Sequence, residues 1–317
     1  MNNKIPGLHH VTAIASDTQR NLDFYVGLLG LRFVKRTVNF DDPGTYHFYF
    51  GDNRGTPGTI LTFFPWPGAR RGNRGTGQVE ATAFAIPPNS IGYWLERLKQ
   101  QHVTAERTAT RFGEEVIRLL DPDGLVIELI AAMPGVSANI DLWPGSRIPA
   151  EHALHGFNSV SAALEGYERT ARLLTESFGY RLVNESGNRF RFASADDSTL
   201  GRIIDLLCQP DTAMGRVAAG SVHHIAFRAK DEAEQLQWRE RLVDLGYNVT
   251  PVIDRTYFHS IYFREPGGVL FEIATEPPGF TLDEKVEELG THLRLPSWME
   301  SARSQIEEIL PPIQVPT

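Results

Sequence analysis

Cysteine is nearly missing from this chain of 317 residues: Cys208 stands alone, which excludes an intramolecular disulfide framework and any cysteine-rich zinc or iron–sulfur site. Long apolar runs are missing too. No stretch of eighteen apolar residues occurs, so no membrane span is expected. The start MNNKIPGLHHVTAI lacks the basic-then-apolar layout of a secretory leader, and a reducing cytoplasm is the expected setting. Positive charge is in deficit, with 31 basic residues against 39 acidic ones and no long Lys/Arg block. No nucleic-acid or membrane partner is expected. What is present is ordinary for a globular chain: 41% apolar and 22% charged residues, which rules out disorder, collagen and a simple coiled coil. The length suits about two domains. The 28 glycines and 20 prolines fit many short elements joined by turns.

One unit recurs four times. Ser221–Phe227 reads as a strand and precedes a helix expected over Asp231–Leu245; the strand-like Ser260–Phe263 follows, and Glu265–Ile273 closes the unit. Strand, helix and three strands give βαβββ. The same order begins at Gly7–Ile14 (helix over Thr18–Leu29), at Val79–Ile86 (helix over Ile91–Gln100) and at Gly156–Ala162 (helix over Tyr167–Phe178). Gly30, Gly179 and Gly246 stand where helices end. The proline- and glycine-bearing Met133–Ala150 reads as a linker, and beyond Pro277 the pattern stops, leaving an irregular cover with a short helix near Trp298–Ile309. The expected domains are residues 6–135 and 151–277, each with two modules, and a tail over 278–317.

Four such modules, with the Asp121–Leu129 segment DPDGLVIEL as their most specific local element and a looser copy at 265–273, resemble the vicinal oxygen chelate superfamily of glyoxalases and extradiol dioxygenases. The resemblance covers roughly residues 7–275. It implies an α+β fold in which paired modules curl into two incomplete barrels, with metal ligands taken from the first and last strand of a module. Four residues after the turn glycine or its equivalent stand Glu272, Glu128, Asp205 and, counting from Thr59, Phe63. The first-strand slots hold His10, Ala81, approximately Asn158, and His224. Pairing the first module with the last yields His10, His224 and Glu272; no other pairing yields two histidines and a carboxylate. That set matches the facial triad of non-haem Fe(II) oxygenases. The expected metal is Fe(II), with Mn(II) as the alternative. Glu128 reads as a remnant paired with an arginine or lying at an open edge, and Asp205 as a salt-bridge partner.

Alternation within each His-His pair points one ring inward without saying which; the resemblance to ring-cleaving relatives selects His10 and His224. A narrower resemblance, to the (chloro)hydroquinone 1,2-dioxygenases, rests on Leu8–Ile14, Arg32–Thr37, Tyr46–Phe50, Gly55–Thr59, Asp205–Leu207, Arg255–Tyr262 and Pro266–Glu272. It implies a ring-cleaving dioxygenase acting on a small aromatic diphenol with O2, Tyr262 and His223 as catalytic residues, and Arg255 and Thr12 at the substrate. His259 departs from that branch, which puts fine substrate preference in doubt. The aromatic group Tyr46, Phe48, Phe50, Phe63, Phe64 and Trp66 reads as core, and Arg70–Arg74 as a solvated loop or partner contact. A homo-oligomer is expected. Two other readings stand beside this one: a metal-dependent glyoxalase-like lyase or isomerase, which needs a further carboxylate or glutamine in the cavity, and a metal-free binding protein.

Overall fold

The computed structural model describes residues 4–131, 140–196 and 200–316. Module 1 comprises β1 (Leu8–Ala15), α1 (Thr18–Leu22), β2 (Arg32–Asn39), β3 (Asp42–Gly51) and β4 (Ile60–Pro65). Module 2 comprises β5 (Gln78–Ile86), α2 (Ile91–Gln100), β6 (Ala105–Arg107), β7 (Val116–Leu120) and β8 (Val126–Ala131). Module 3 has β9 (Phe157–Leu164), α3 (Glu168–Arg172), β10 (Arg181–Ser186), β11 (Arg189–Ala193) and β12 (Ile203–Cys208). Module 4 has β13 (Val222–Ala229), α4 (Glu232–Asp244), β14 (Ile253–Asp254), β15 (Phe258–Arg264) and β16 (Leu270–Pro278). Among the described residues no helix is long and apolar enough to cross a membrane.

Two curled eight-stranded sheets result. One runs β14-β15-β16-β13-β1-β4-β3-β2, the other β10-β11-β12-β9-β5-β8-β7-β6. Modules 1 and 4 therefore share a sheet, as the ligand count requires, and the middle modules form the other. The seam of the first sheet is the antiparallel pair β1–β13, which sets Thr12 opposite His224 and His10 opposite Ala226. Successive side chains on a strand face opposite ways, so one row of each strand faces the concave side and the other packs against the helices.

The last strand of each module enters through the same turn. Gly58, Gly124, Gly201 and Gly268 all have positive φ, from +69° to +100°, a conformation that favours glycine. This corrects the count in module 1. The turn glycine is Gly58 rather than Thr59, and the fourth residue after it is Thr62. The strand register agrees: Thr62 pairs with Thr12 as Glu272 pairs with Ala226. Phe63 faces the other way, packed against Tyr25. The same logic moves the third module's first-strand slot from Asn158 to Ser159, because Asp205 pairs with Ser161.

The first and third helices are shorter than the apolar spacing predicts. α1 passes into a wider turn over Asp23–Leu28, where the Leu29 amide donates to Phe24 five residues back. α3 ends likewise in Leu173–Ser177. Gly30, Gly179 and Gly246 all take positive φ at the helix ends, as expected. Of the linker read at Met133–Ala150, residues 133–139 lie outside the described residues; Trp143 packs against the core and the Ser146 hydroxyl donates to Gly30 O. Arg70–Arg74 belongs to an internal connection: Arg71 and Arg74 donate to the carbonyls of Pro122 and Gly124.

The tail lies along β2 and β3 and ends in α5 (Arg303–Ile309). The Arg294 amide donates to Arg36 O, and the Tyr46 hydroxyl donates to Pro311 O. Beneath it Lys35, fully buried, donates to Asp283 at 2.6 Å and Glu284 at 2.5 Å.

Candidate metal centre

His10 lies on β1, His224 on β13 and Glu272 on β16, three strands adjacent around the seam. The curl of the sheet brings their side chains together. His10 Nε2 lies 3.3 Å from His224 Nε2 and 3.3 Å from Glu272 Oε2, while His224 Nε2 lies 2.8 Å from that oxygen. All three residues are buried. Burial alone would raise the Glu272 carboxyl; the two imidazoles outweigh it and hold the group well below the usual carboxylate range. Burial pushes His224 down, which keeps it neutral.

Two imidazoles and one ionised carboxylate are a donor set for a divalent cation. Glu272 Oε2 is buried and receives no aligned hydrogen bond, although its sister oxygen accepts from Ser260 at 2.5 Å. A buried anionic oxygen without a donor is costly, and a cation held by His10, His224 and Glu272 removes that cost. The residues behind the imidazoles fit as well. His9 Nδ1 lies 3.0 Å from His10 Nδ1, and His223 Nδ1 lies 2.8 Å from His224 Nδ1. A metal-facing Nε2 must carry a lone pair, so His10 and His224 would donate from Nδ1 to their sequence neighbours, which fixes tautomer and ring orientation. His9 and His223 can accept because burial pushes both down, His223 to about 4.

A cavity of about 300 Å³ opens beside the cluster, lined among others by His10, His223, His224, Tyr262, Arg255 and Phe258. Tyr262 lies beside His224, with ring centroids 5.5 Å apart, and burial keeps its phenol protonated. Arg255 lies over the Tyr262 ring and contacts Asp41 at 3.1 Å. Thr12, expected at the substrate, is fully buried, with its hydroxyl 2.8 Å from that of Thr62. His259 faces α4 through Glu232 at 3.1 Å, on the outer row of β15, so its identity does not shape the cavity.

Phe64 and Trp66, read from sequence as core, line the cavity instead, as do His47 and Tyr49. Period-two alternation along Tyr46–Phe50 already separates His47 and Tyr49 from Tyr46, Phe48 and Phe50, which are buried in the core. Ser260 was legible only through its neighbour two residues on, Tyr262.

The equivalent place in the second barrel is filled. Arg111 forks onto both oxygens of Glu128 at 2.7 and 2.8 Å, and Arg189 and Arg191 hold Asp205. Both expected salt-bridge readings hold. Glu128→Ala is expected to leave bound metal unchanged while costing about 3 kcal/mol of stability, since Arg111 loses its buried partner. Metal analysis and urea unfolding of the one variant check both halves.

A sequence model of the Glyoxalase/Bleomycin resistance protein/Dioxygenase superfamily matches residues 7–129 and 156–273. The chain is 46% identical to a Bacillus subtilis protein named "Putative ring-cleaving dioxygenase MhqO", over 99% of each chain. It is 33% identical to the chlorohydroquinone/hydroquinone 1,2-dioxygenase of Sphingobium indicum, over 96% of this chain and 95% of that one. A crystal structure of a "putative dioxygenase" from Bacillus subtilis superposes with a TM-score of 0.94 at 46% identity, covering 99% of both chains.

Proposed function

The chain belongs to the Glyoxalase/Bleomycin resistance protein/Dioxygenase superfamily, and from that premise we propose that it is a non-haem iron, extradiol-type ring-cleaving dioxygenase of diphenols. The observation that carries this reading is the convergence of His10, His224 and Glu272 at one wall of a cavity sized for a single ring; an apolar cavity of about half that volume accepts benzene. The names of the two relatives support ring cleavage, and the Sphingobium relative supports a hydroquinone as substrate.

Bound Fe(II), with Mn(II) as the alternative ion, supplies the redox chemistry that joins O2 to an electron-rich ring. The chain's own residues orient and handle protons. Tyr262, protonated and beside His224, donates a hydrogen bond to an oxygen held in the cavity. His223, neutral and at the cavity wall, is a hydrogen-bonding partner for a phenol hydroxyl near neutral pH. Arg255 keeps positive charge beside Tyr262, where it favours a phenolate. Phe64, Trp66 and Phe258 give the ring an apolar bed and keep water from it. A glyoxalase-type isomerase would need a further carboxylate or glutamine in the cavity; in the fourth slot Thr62 offers only a hydroxyl.

Protein purified without oxygen and loaded with Fe(II) is expected to consume one O2 per hydroquinone and to incorporate both atoms of labelled O2 into a ring-opened product. Absence of uptake with every diphenol tried, with iron at one per chain, would sink the reading.

A further inference from the structure

The cavity has a second polar arm on the side of β1 away from Glu272, and the strand registers give its place. Exchanging β1 with β13 across their antiparallel seam carries His10 onto His224. It carries Thr62, beside Thr12, onto Glu272, beside Ala226. It also carries Tyr49, opposite Thr62, onto Tyr262, opposite Glu272. Two phenols related by the barrel's internal twofold therefore line one cavity.

Their surroundings differ. Tyr262 lies against His224, whereas Tyr49 has Phe258 as its neighbour, with ring centroids 6.4 Å apart, and Phe258 in turn packs on His10 at 5.0 Å. Tyr49 thus lines the cavity from the opposite side of the β1–β13 seam to Tyr262. It ends a chain of hydrogen bonds: Thr12 Oγ1 to Thr62 Oγ1 at 2.8 Å, Thr62 Oγ1 to His47 Nε2 at 2.9 Å, and His47 Nδ1 to Tyr49 Oη at 2.9 Å.

Every member of that chain both donates and accepts, so the chain runs in either direction. In one, Tyr49 donates to His47 and its oxygen is left to accept from a hydroxyl. In the other, His47 donates from Nδ1 and the Tyr49 hydrogen is free for an oxygen in the cavity. A neutral His47, with one N–H and one lone pair, serves both; burial keeps it neutral.

We propose that Tyr49, held by His47, receives the substrate hydroxyl remote from the metal, which makes the site favour 1,4-diphenols over monophenols. This rests on the dioxygenase reading. Phenol has one oxygen, and with that oxygen at the metal it leaves Tyr49 without a partner. A 1,4-diphenol places its second hydroxyl at the far edge. His47 is a positioning residue that acts through Tyr49.

Anaerobic titration of the Fe(II)-loaded protein with hydroquinone and phenol tests this. The parent chain is expected to bind hydroquinone about tenfold more tightly than phenol, the worth of one hydrogen bond to a well-placed partner. Tyr49→Phe should reduce that ratio to about twofold or less, with phenol affinity and iron content unchanged. His47→Leu should do the same, and His47→Asn should recover part of the ratio; these variants also serve if Tyr49→Phe fails to fold. A loaded Tyr49→Phe protein that keeps the tenfold ratio, or that loses hydroquinone and phenol alike, overturns the proposal while hydroquinone turnover by the parent chain leaves the dioxygenase reading standing. A parent chain that neither binds nor turns over any diphenol overturns both.

Discussion

Glu272→Ala is expected to weaken Fe(II) binding by more than a hundredfold and to abolish O2 uptake with hydroquinone, with the circular dichroism spectrum unchanged. The substitution removes the only anion among three converging donors. Residues that merely hydrogen-bond behind a metal ligand cost tenfold to a hundredfold when lost, so losing a donor costs more. The fold tolerates it because the substitution removes a buried charge and leaves the Ser260 hydroxyl to find another acceptor. His10→Ala and His224→Ala should empty the site in the same way. Iron measured by plasma mass spectrometry after gel filtration gives the answer; one tightly held iron per Glu272→Ala chain would refute the ligand assignment. The contrast with Glu128→Ala makes the result specific, since both carboxylates occupy the same slot after the same turn.

The second large effect lies outside the cavity. Lys35→Met is expected to cost 3–5 kcal/mol, because Glu284 is fully buried and Asp283 lies beside it. Arg294, at 3.5 Å, is a second cation near Glu284 and is itself partly exposed. Adding Glu284→Gln to Lys35→Met should restore part of the loss, which a double-mutant cycle in urea would quantify. A loss below 1 kcal/mol for Lys35→Met would mean that the pair contributes nothing net. The consequence reaches the cavity through a short path. Tyr257 donates to Asp283 and lies next in the chain to Phe258, which packs on His10.

The repeat was legible because each module needs the same local chemistry: a glycine at each strand-entry turn and a further glycine where three of the four helices end. The three converging residues were legible for a related reason. A glutamate amid Val269, Leu270, Phe271 and Ile273, and histidine pairs at matching places in two repeats, are hard to explain as solvent-facing choices. The errors arose where one residue of register decides a side chain's direction. Counting from Thr59 rather than Gly58 put Phe63 in the slot that Thr62 holds, because both residues lie in an apolar run and only backbone conformation distinguishes the two starts. Phe64 and Trp66 were read as core for want of a signal: an aromatic ring in a cavity wall and one in a core have the same composition.

Local periodicity and spacing established the βαβββ modules, the turns that start three of their four last strands, and which carboxylates and histidines occupy equivalent positions. These features depend on contacts within some fifty residues of chain, so each module states them in its own sequence. Which modules meet is another matter. Sequence could only infer the pairing of first with last from the ligands it would assemble, whereas the seam between β1 and β13 joins strands more than two hundred residues apart and fixes it by hydrogen-bond register. The hydrogen-bonded line from Thr12 to Tyr49, and the arginines that fill the second barrel, likewise exist only once curled sheets bring distant side chains within reach of one another.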